Sequence, residues 1–231
     1  MTYRTTNFPA PQTSILVNLV TMAIAAVVVL CSYLAWMPAV TAYHDMTTPK
    51  AHVMSAVKME APGWTGSGVY LGDGFIITAG HVTAGLRSID VELSDGNKVK
   101  AEVLWTNTPT DGGYDVSLVY AANLPAASAP LSCKPTATGE AVTIIGNPDS
   151  LTFLQSWGRV SGKVTKGDWG DWKSLVALDV VAAPGVSGGP VYNNNGDVVG
   201  ILVSGLSDAR GNYGYTFMVP STTICMMLGR V

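Results

Sequence analysis

Charge is scarce in this chain: only 13 % of its 231 residues are Asp, Glu, Lys or Arg, about half the usual share. The net charge of −3 is small, and Lys and Arg are scattered without a basic run. Nucleic acid is therefore no expected partner, because counterion-release binding needs clustered cations. Cysteine is nearly absent too. Cys31, Cys133 and Cys225 match no zinc-ligand spacing and are too few for a dense disulfide scaffold. Cys133 and Cys225 either pair in an oxidising compartment or stay as two free buried thiols. No internal repeat recurs, and past the N-terminal segment only Thr222 to Leu228 reads as helix.

One long apolar run is present. Ile15 to Met37 spans 23 residues without a charge, and a helix needs about 20 to cross the hydrocarbon core. Tyr33 and Trp36 lie at its end, where interfacial aromatics are common. The reading is a transmembrane signal anchor over 15–37, after a short tail at 1–14. Arg4 before the run and Asp45 after it put the following domain on the non-cytoplasmic side. The rival is a signal peptide cut after Ala42, which would release a secreted domain. Residues 38–51 read as a polar linker.

From residue 52 the pattern changes to short β-like runs broken by Gly, Asp, Asn and Pro. Expected strands are Val53 to Met59, Gly66 to Leu71, Gly74 to Thr78, Ile89 to Leu93, Lys98 to Trp105 and Val116 to Tyr120. Gly72-Asp73 is the first hairpin turn. After an Ala- and Pro-rich stretch at 121–138 come Ala141 to Ile145, Ser156 to Val164, Ser174 to Val181, Val191-Tyr192, Val198 to Ser204 and Gly214 to Val219. Many short strands with frequent turns imply an all-β barrel or sandwich. The break near residue 130 implies two halves.

The chemistry centres on Pro184-Gly185-Val186-Ser187-Gly188-Gly189-Pro190. Glycine tolerates positive φ and close backbone approach, while proline stiffens a turn. Ser187 and its neighbouring N–H groups are thereby displayed, as acyl transfer requires of a nucleophile and its oxyanion donors. A serine needs a base, and the base an orienting acid. Of three histidines, His44 and His52 lie in the linker or at its border, leaving His81 after the apolar run Ile76-Ile77-Thr78. Asp115 heads the apolar strand Val116 to Val119, where a carboxylate is costly unless paired. Asp90, Asp95 and Asp111 read as exposed. The order His81, Asp115, Ser187 is that of chymotrypsin, and differs from those of subtilisin and the α/β-hydrolases.

On these residues the chain resembles trypsin-like serine proteases, in their HtrA/Deg-like branch. TAGHV surrounds His81, YDVSLV surrounds Asp115, and LDVVAAPGVSGGPVYN surrounds Ser187. GSGVYL, AVTIIGNP, WGRVSGKV and GYTFMVPSTTI are lesser matches, and the resemblance covers about 52–228. It implies two six-stranded antiparallel β-barrels of chymotrypsin type, about 52–128 and 135–221, with the active site between them and a short helix at 222–228. It implies His81 as base, Asp115 as orienting acid and Ser187 as nucleophile, with the Gly185 and Ser187 N–H groups as oxyanion hole. It places Val181, Ala182, Val203, Ser204 and Gly205 at an uncharged substrate pocket, suited to small or medium apolar side chains. No cofactor or metal is implied, the partner is a protein or peptide substrate, and the oligomeric state is left open.

Two departures matter. Trypsin-type zymogens carry aspartate where Val186 stands, so activation by N-terminal insertion is not expected. The chain ends soon after Pro220, so no PDZ domain of the Deg type is expected. Two other functions fit the same fold: a silent peptide-binding or chaperone-like module, and an esterase-type acyl hydrolase.

Overall fold

The computed structural model describes residues 19–20, 22–34, 50–164, 174–180, 182–207 and 213–230. The chain divides into two units, Met1–Thr48 and Pro49–Val231. In the first, residues 22–34 are helical and exposed, and Ser32 Oγ donates to the Val28 carbonyl. Among the described residues no helix is long and apolar enough to cross a membrane. The remainder of the expected anchor over 15–37 lies outside them.

The second unit is built from antiparallel strands. Helix α1 (Lys50–Ser55) leads into β1 (Ala56–Ala61), β2 (Trp64–Gly72), β3 (Phe75–Thr78), a helical turn α2 (Gly80–Thr83), β4 (Ser88–Glu92), β5 (Lys98–Asn107) and β6 (Val116–Tyr120). These strands close into a barrel in the order β1-β2-β3-β6-β5-β4. The second set is β7 (Ala141–Gly146), β8 (Leu154–Val164), β9 (Leu175–Leu178), β10 (Pro190–Tyr192), β11 (Val198–Ser207) and β12 (Tyr213–Pro220), followed by α3 (Ser221–Met227). It closes as β10-β11-β12-β9-β8-β7. The fold is thus all-β, with two closed six-stranded barrels. Closure leaves no exposed sheet edge.

Alternation drives this arrangement. In β4, Ile89 and Val91 are buried while Asp90 faces solvent. One apolar cluster fills the first barrel and continues through Tyr192, Ile201 and Phe217 of the second. A smaller cluster, including Ile144, Leu178 and Met218, fills the rest of the second barrel. Between the barrels, residues 121–138 act as a strap. Leu131 bridges Val198, and Cys133 forms a disulfide with Cys225 of α3, 92 residues away. The cysteine alternative is thereby resolved as a pair.

Local expectations shift in three places. Val53 to Ser55 belong to α1, because the buried Ser55 hydroxyl bonds Tyr192 Oη at 2.8 Å and turns the chain before β1. The first hairpin turn is Asp73-Gly74, one residue later than expected. Both carry positive φ (52° and 84°), as a tight two-residue turn of the favoured hand requires. The strand expected over Ser174 to Val181 is Leu175–Leu178, and Val181 lies outside the described residues.

Candidate active site

His81 sits on α2, a single helical turn rather than a strand end. Its neighbours are buried and its own side chain is 44 % exposed. The turn is fixed from behind. Thr83 Oγ1 donates to Ser117 Oγ at 2.7 Å and lies 2.9 Å from Thr106 Oγ1, tying α2 to β6 and β5. Gly80 packs so closely on the Asn107 carbonyl that a Cβ there would overlap it.

Asp115 completes the turn from outside. Helix N-termini leave N–H groups without partners, and Ala79 at the cap position supplies no side-chain acceptor. Asp115 Oδ1 accepts the His81 backbone N–H at 2.8 Å instead, while Oδ2 lies 2.7 Å from His81 Nδ1. The carboxylate is fully buried and avoids the penalty of an unpaired buried charge through these contacts. Asp115 holds φ at +60°, a conformation that costs a non-glycine residue about 1–2 kcal/mol. Tyr114 N–H donates to Asn107 Oδ1 and fixes the approach to that position. Asp90, Asp95 and Asp111 are all exposed.

Ser187 lies in the loop between β9 and β10 and is half-buried. Strand β2 touches both sides of the cleft. A Cβ on Gly66 would meet Val82 beside His81 and also approach the Ser187 carbonyl. Ser67 N–H donates to that carbonyl at 2.7 Å. Among the described residues Ser187 Oγ makes no hydrogen bond.

The loop aims its amides through its carbonyls. A trans peptide points its C=O and N–H in opposite directions, and no cis bond occurs among the described residues. The Pro184 carbonyl accepts Asp149 N–H at 2.9 Å, so Gly185 N–H faces away from that turn. The Val186 carbonyl accepts Gly189 N–H at 2.8 Å, so Ser187 N–H is likewise turned outward. Neither amide is engaged by the described residues. Gly185 holds φ at +99°, and a Cβ there would overlap the Asn147 carbonyl. Val186 packs against the apolar cluster of the second barrel, anchoring the loop without a charged side chain.

A pocket of about 150 Å³ opens beside Ser187, lined in part by Ala182, Val186, Leu202, Ser204 and Gly205. Three expected pocket residues, Ala182, Ser204 and Gly205, are thus found together, and no lining side chain is charged. Val203 is a correction: it packs in the apolar cluster that fills the first barrel, while Leu202, equally buried but in the smaller cluster of the second barrel, lines the pocket. Leu202 and Ser204 stand two residues apart and share a face of β11, and Val203 between them turns to the other face. Val181 lies outside the described residues. On the far side of Gly185 a groove of about 620 Å³ is bordered by Trp64, Glu60 and Asp149.

The family model described as a trypsin-like peptidase domain matches residues 66–201. A protein of Haemophilus influenzae named "Probable periplasmic serine protease do/HhoA-like" is 33 % identical over 160 residues, covering 68 % of this chain and 34 % of that one. A "Probable periplasmic serine endoprotease DegP-like" of Halomonas elongata is 34 % identical over 156 residues, covering 67 % and 32 %. The chain thus spans about a third of the length of these curated relatives. Among solved structures, the HtrA-type protease AlgW with a tripeptide superposes with a TM-score of 0.71 at 22 % identity, covering 81 % of this chain and 62 % of that one. A serine endoprotease from Yersinia pestis gives 0.66 at 22 % identity, covering 81 % and 65 %.

Proposed function

Because the chain belongs to the trypsin-like peptidase family, with HtrA/Deg proteases among its relatives, we propose that it is a serine endopeptidase using His81, Asp115 and Ser187. The observation that carries this reading is the two-point contact of buried Asp115 with His81. That contact fixes the ring with Nδ1–H toward the carboxylate and leaves Nε2 as the base.

In the first step His81 Nε2 takes the Ser187 hydroxyl proton as Oγ attacks the scissile carbonyl carbon. The carbonyl oxygen becomes an oxyanion and receives the N–H groups of Gly185 and Ser187. Protonated His81 then gives its proton to the leaving amine, the C–N bond breaks, and an acyl-Ser187 ester remains. Water, deprotonated by the same imidazole, attacks the ester carbon; the C–Oγ bond breaks as the imidazolium returns the proton to Ser187 Oγ, and the acid leaves. Asp115 stays ionised and stabilises the imidazolium. Each oxyanion donor of this kind is worth about 10²–10³ in rate.

The protease domain is residues 52–231, with proteins or peptides as its substrates and with small or medium apolar side chains in the pocket beside Ser187. The uncharged run 15–37 anchors it as a single-pass membrane protein. Arg4 and Asp45 support a catalytic domain on the non-cytoplasmic side. The Cys133–Cys225 disulfide supports an oxidising compartment, and both relatives compared are named as periplasmic. The test is single-turnover hydrolysis of a peptide p-nitroanilide with an apolar residue before the scissile bond. A trapped acyl-enzyme of the full chain on Ser187 supports the reading. Ester turnover without peptide turnover favours an acyl hydrolase instead.

A further inference from the structure

A buried polar cluster joins the two barrels beneath the oxyanion loop, and the steps above do not use it. Ser67, on β2 of the first barrel, and Asn147, just after β7 of the second, are both fully buried. The Ser67 hydroxyl lies 2.8 Å from the Gly185 carbonyl, 3.0 Å from Asn147 N and 2.9 Å from Asn147 Nδ2. The orientation of the Asn147 amide follows from Oδ1, which accepts Phe153 N–H at 2.9 Å. Both Asn147 contacts to Ser67 are therefore N–H donors.

A hydroxyl has one proton and two lone pairs. Here both lone pairs are taken by Asn147, so the proton has one destination, the Gly185 carbonyl. The polarity of Asn147 thus sets the polarity of Ser67. Asn147 also closes the 147–153 turn that presents Asp149 N–H to the Pro184 carbonyl. The two peptides on either side of Gly185 are consequently held by one cluster, Pro184–Gly185 through Asp149 and Gly185–Val186 through Ser67. An apolar pair would fill the same space, but it would leave the Gly185–Val186 peptide held only by the longer bond from Val186 N–H to the Ala183 carbonyl at 3.3 Å.

We propose that Ser67 and Asn147 are positioning residues that hold the Gly185 amide toward the oxyanion, so that the donor exists before substrate arrives. This rests on the endopeptidase reading. Neither residue touches substrate, and each acts through the loop. Preorganisation of this kind raises the turnover rate rather than ground-state binding, because the amide is used fully only when charge develops on oxygen.

The experiment compares the full-length protein with Ser67→Ala and Asn147→Asp. The first removes the donor to Gly185. The second keeps shape and the acceptor for Phe153, but its new carboxylate draws the Ser67 proton away from Gly185. Three quantities are measured: cooperative thermal unfolding, kcat and KM on the peptide anilide, and affinity for a peptidyl trifluoromethyl ketone beside that for the product peptide acid. The ketone forms a serine adduct bearing an oxyanion; the acid does not. At least one variant should fold, with kcat lowered by about 10²–10³ and KM within about threefold. Ketone affinity should fall in step with kcat, with product affinity unchanged. A folded variant with wild-type kcat overturns the assignment. So does loss of ketone and product affinity together, or failure of both variants to fold, since each makes the cluster structural only. If the wild-type protein itself neither acylates nor cuts, the endopeptidase reading fails, and this assignment with it.

Discussion

The Asp115 carboxylate contacts His81 twice, through the backbone N–H at 2.8 Å and through Nδ1 at 2.7 Å. One buried group therefore caps the helical turn that carries His81, the proposed base, and also contacts its ring. An amide cannot do both with the same polarity. Asp115→Asn should keep the barrels folded and lower kcat by about 10³–10⁴. Circular dichroism and steady-state turnover on the same preparation check it.

The pocket beside Ser187 has about 150 Å³ and no charged lining side chain. A charged side chain entering it finds no partner for its lost hydration. Cleavage of a peptide library should therefore concentrate after small and medium apolar residues. Dominant cleavage after Arg or Lys would contradict the pocket assignment.

Glu60 lies between two lysines, with Oε1 at 2.7 Å from Lys58 Nζ and Oε2 at 2.6 Å from Lys98 Nζ. These hydrogen bonds, Lys58 first, lower its pKa from 4.5 to about 2. A carboxyl whose pKa is lowered by folding binds fewer protons folded than unfolded. Its stabilisation is complete above about pH 4.5 and is lost as pH falls through about 2. Glu60→Gln should lower stability by about 1 kcal/mol at neutral pH, and the difference should vanish at the acid end. Thermal midpoints of both proteins from pH 7 to 2 test this.

The Cys133–Cys225 bond closes a loop across 92 residues and ties the inter-barrel strap to α3. The double replacement Cys133→Ala/Cys225→Ala should cost about 2–5 kcal/mol. That loss is visible as a lower unfolding midpoint in urea. Dithiothreitol should shift the wild-type midpoint the same way and leave the double variant unchanged.

Much of the framework was legible because the signals are local. Ile89, Asp90 and Val91 alternate as a half-buried strand must, and Asp95-Gly96 marks its turn. Asp115 was readable as a carboxylate entering an apolar strand. His81 was found, but its helical turn was not, because four residues are too few to show a helical period. Val203 is misplaced because the resemblance marks a stretch of strand, whereas a strand turns successive side chains to opposite faces, Leu202 and Ser204 to the pocket and Val203 away from it. Ser67 and Asn147 lie within GSGVYL and AVTIIGNP, with nothing local to link them. Their meeting spans 80 residues of sequence, and no short-range pattern encodes it. Gly185, by contrast, announced itself through the glycine-rich run, and its φ of +99° gives the reason.

The most direct test of the central claim is covalent labelling of the folded protein by a fluorophosphonate probe, with the adduct located by peptide mass spectrometry. The account predicts a single adduct on Ser187, absent in Ser187→Ala and strongly slowed in His81→Ala. A well-folded wild-type protein that remains unlabelled, or one labelled at another serine, would contradict it.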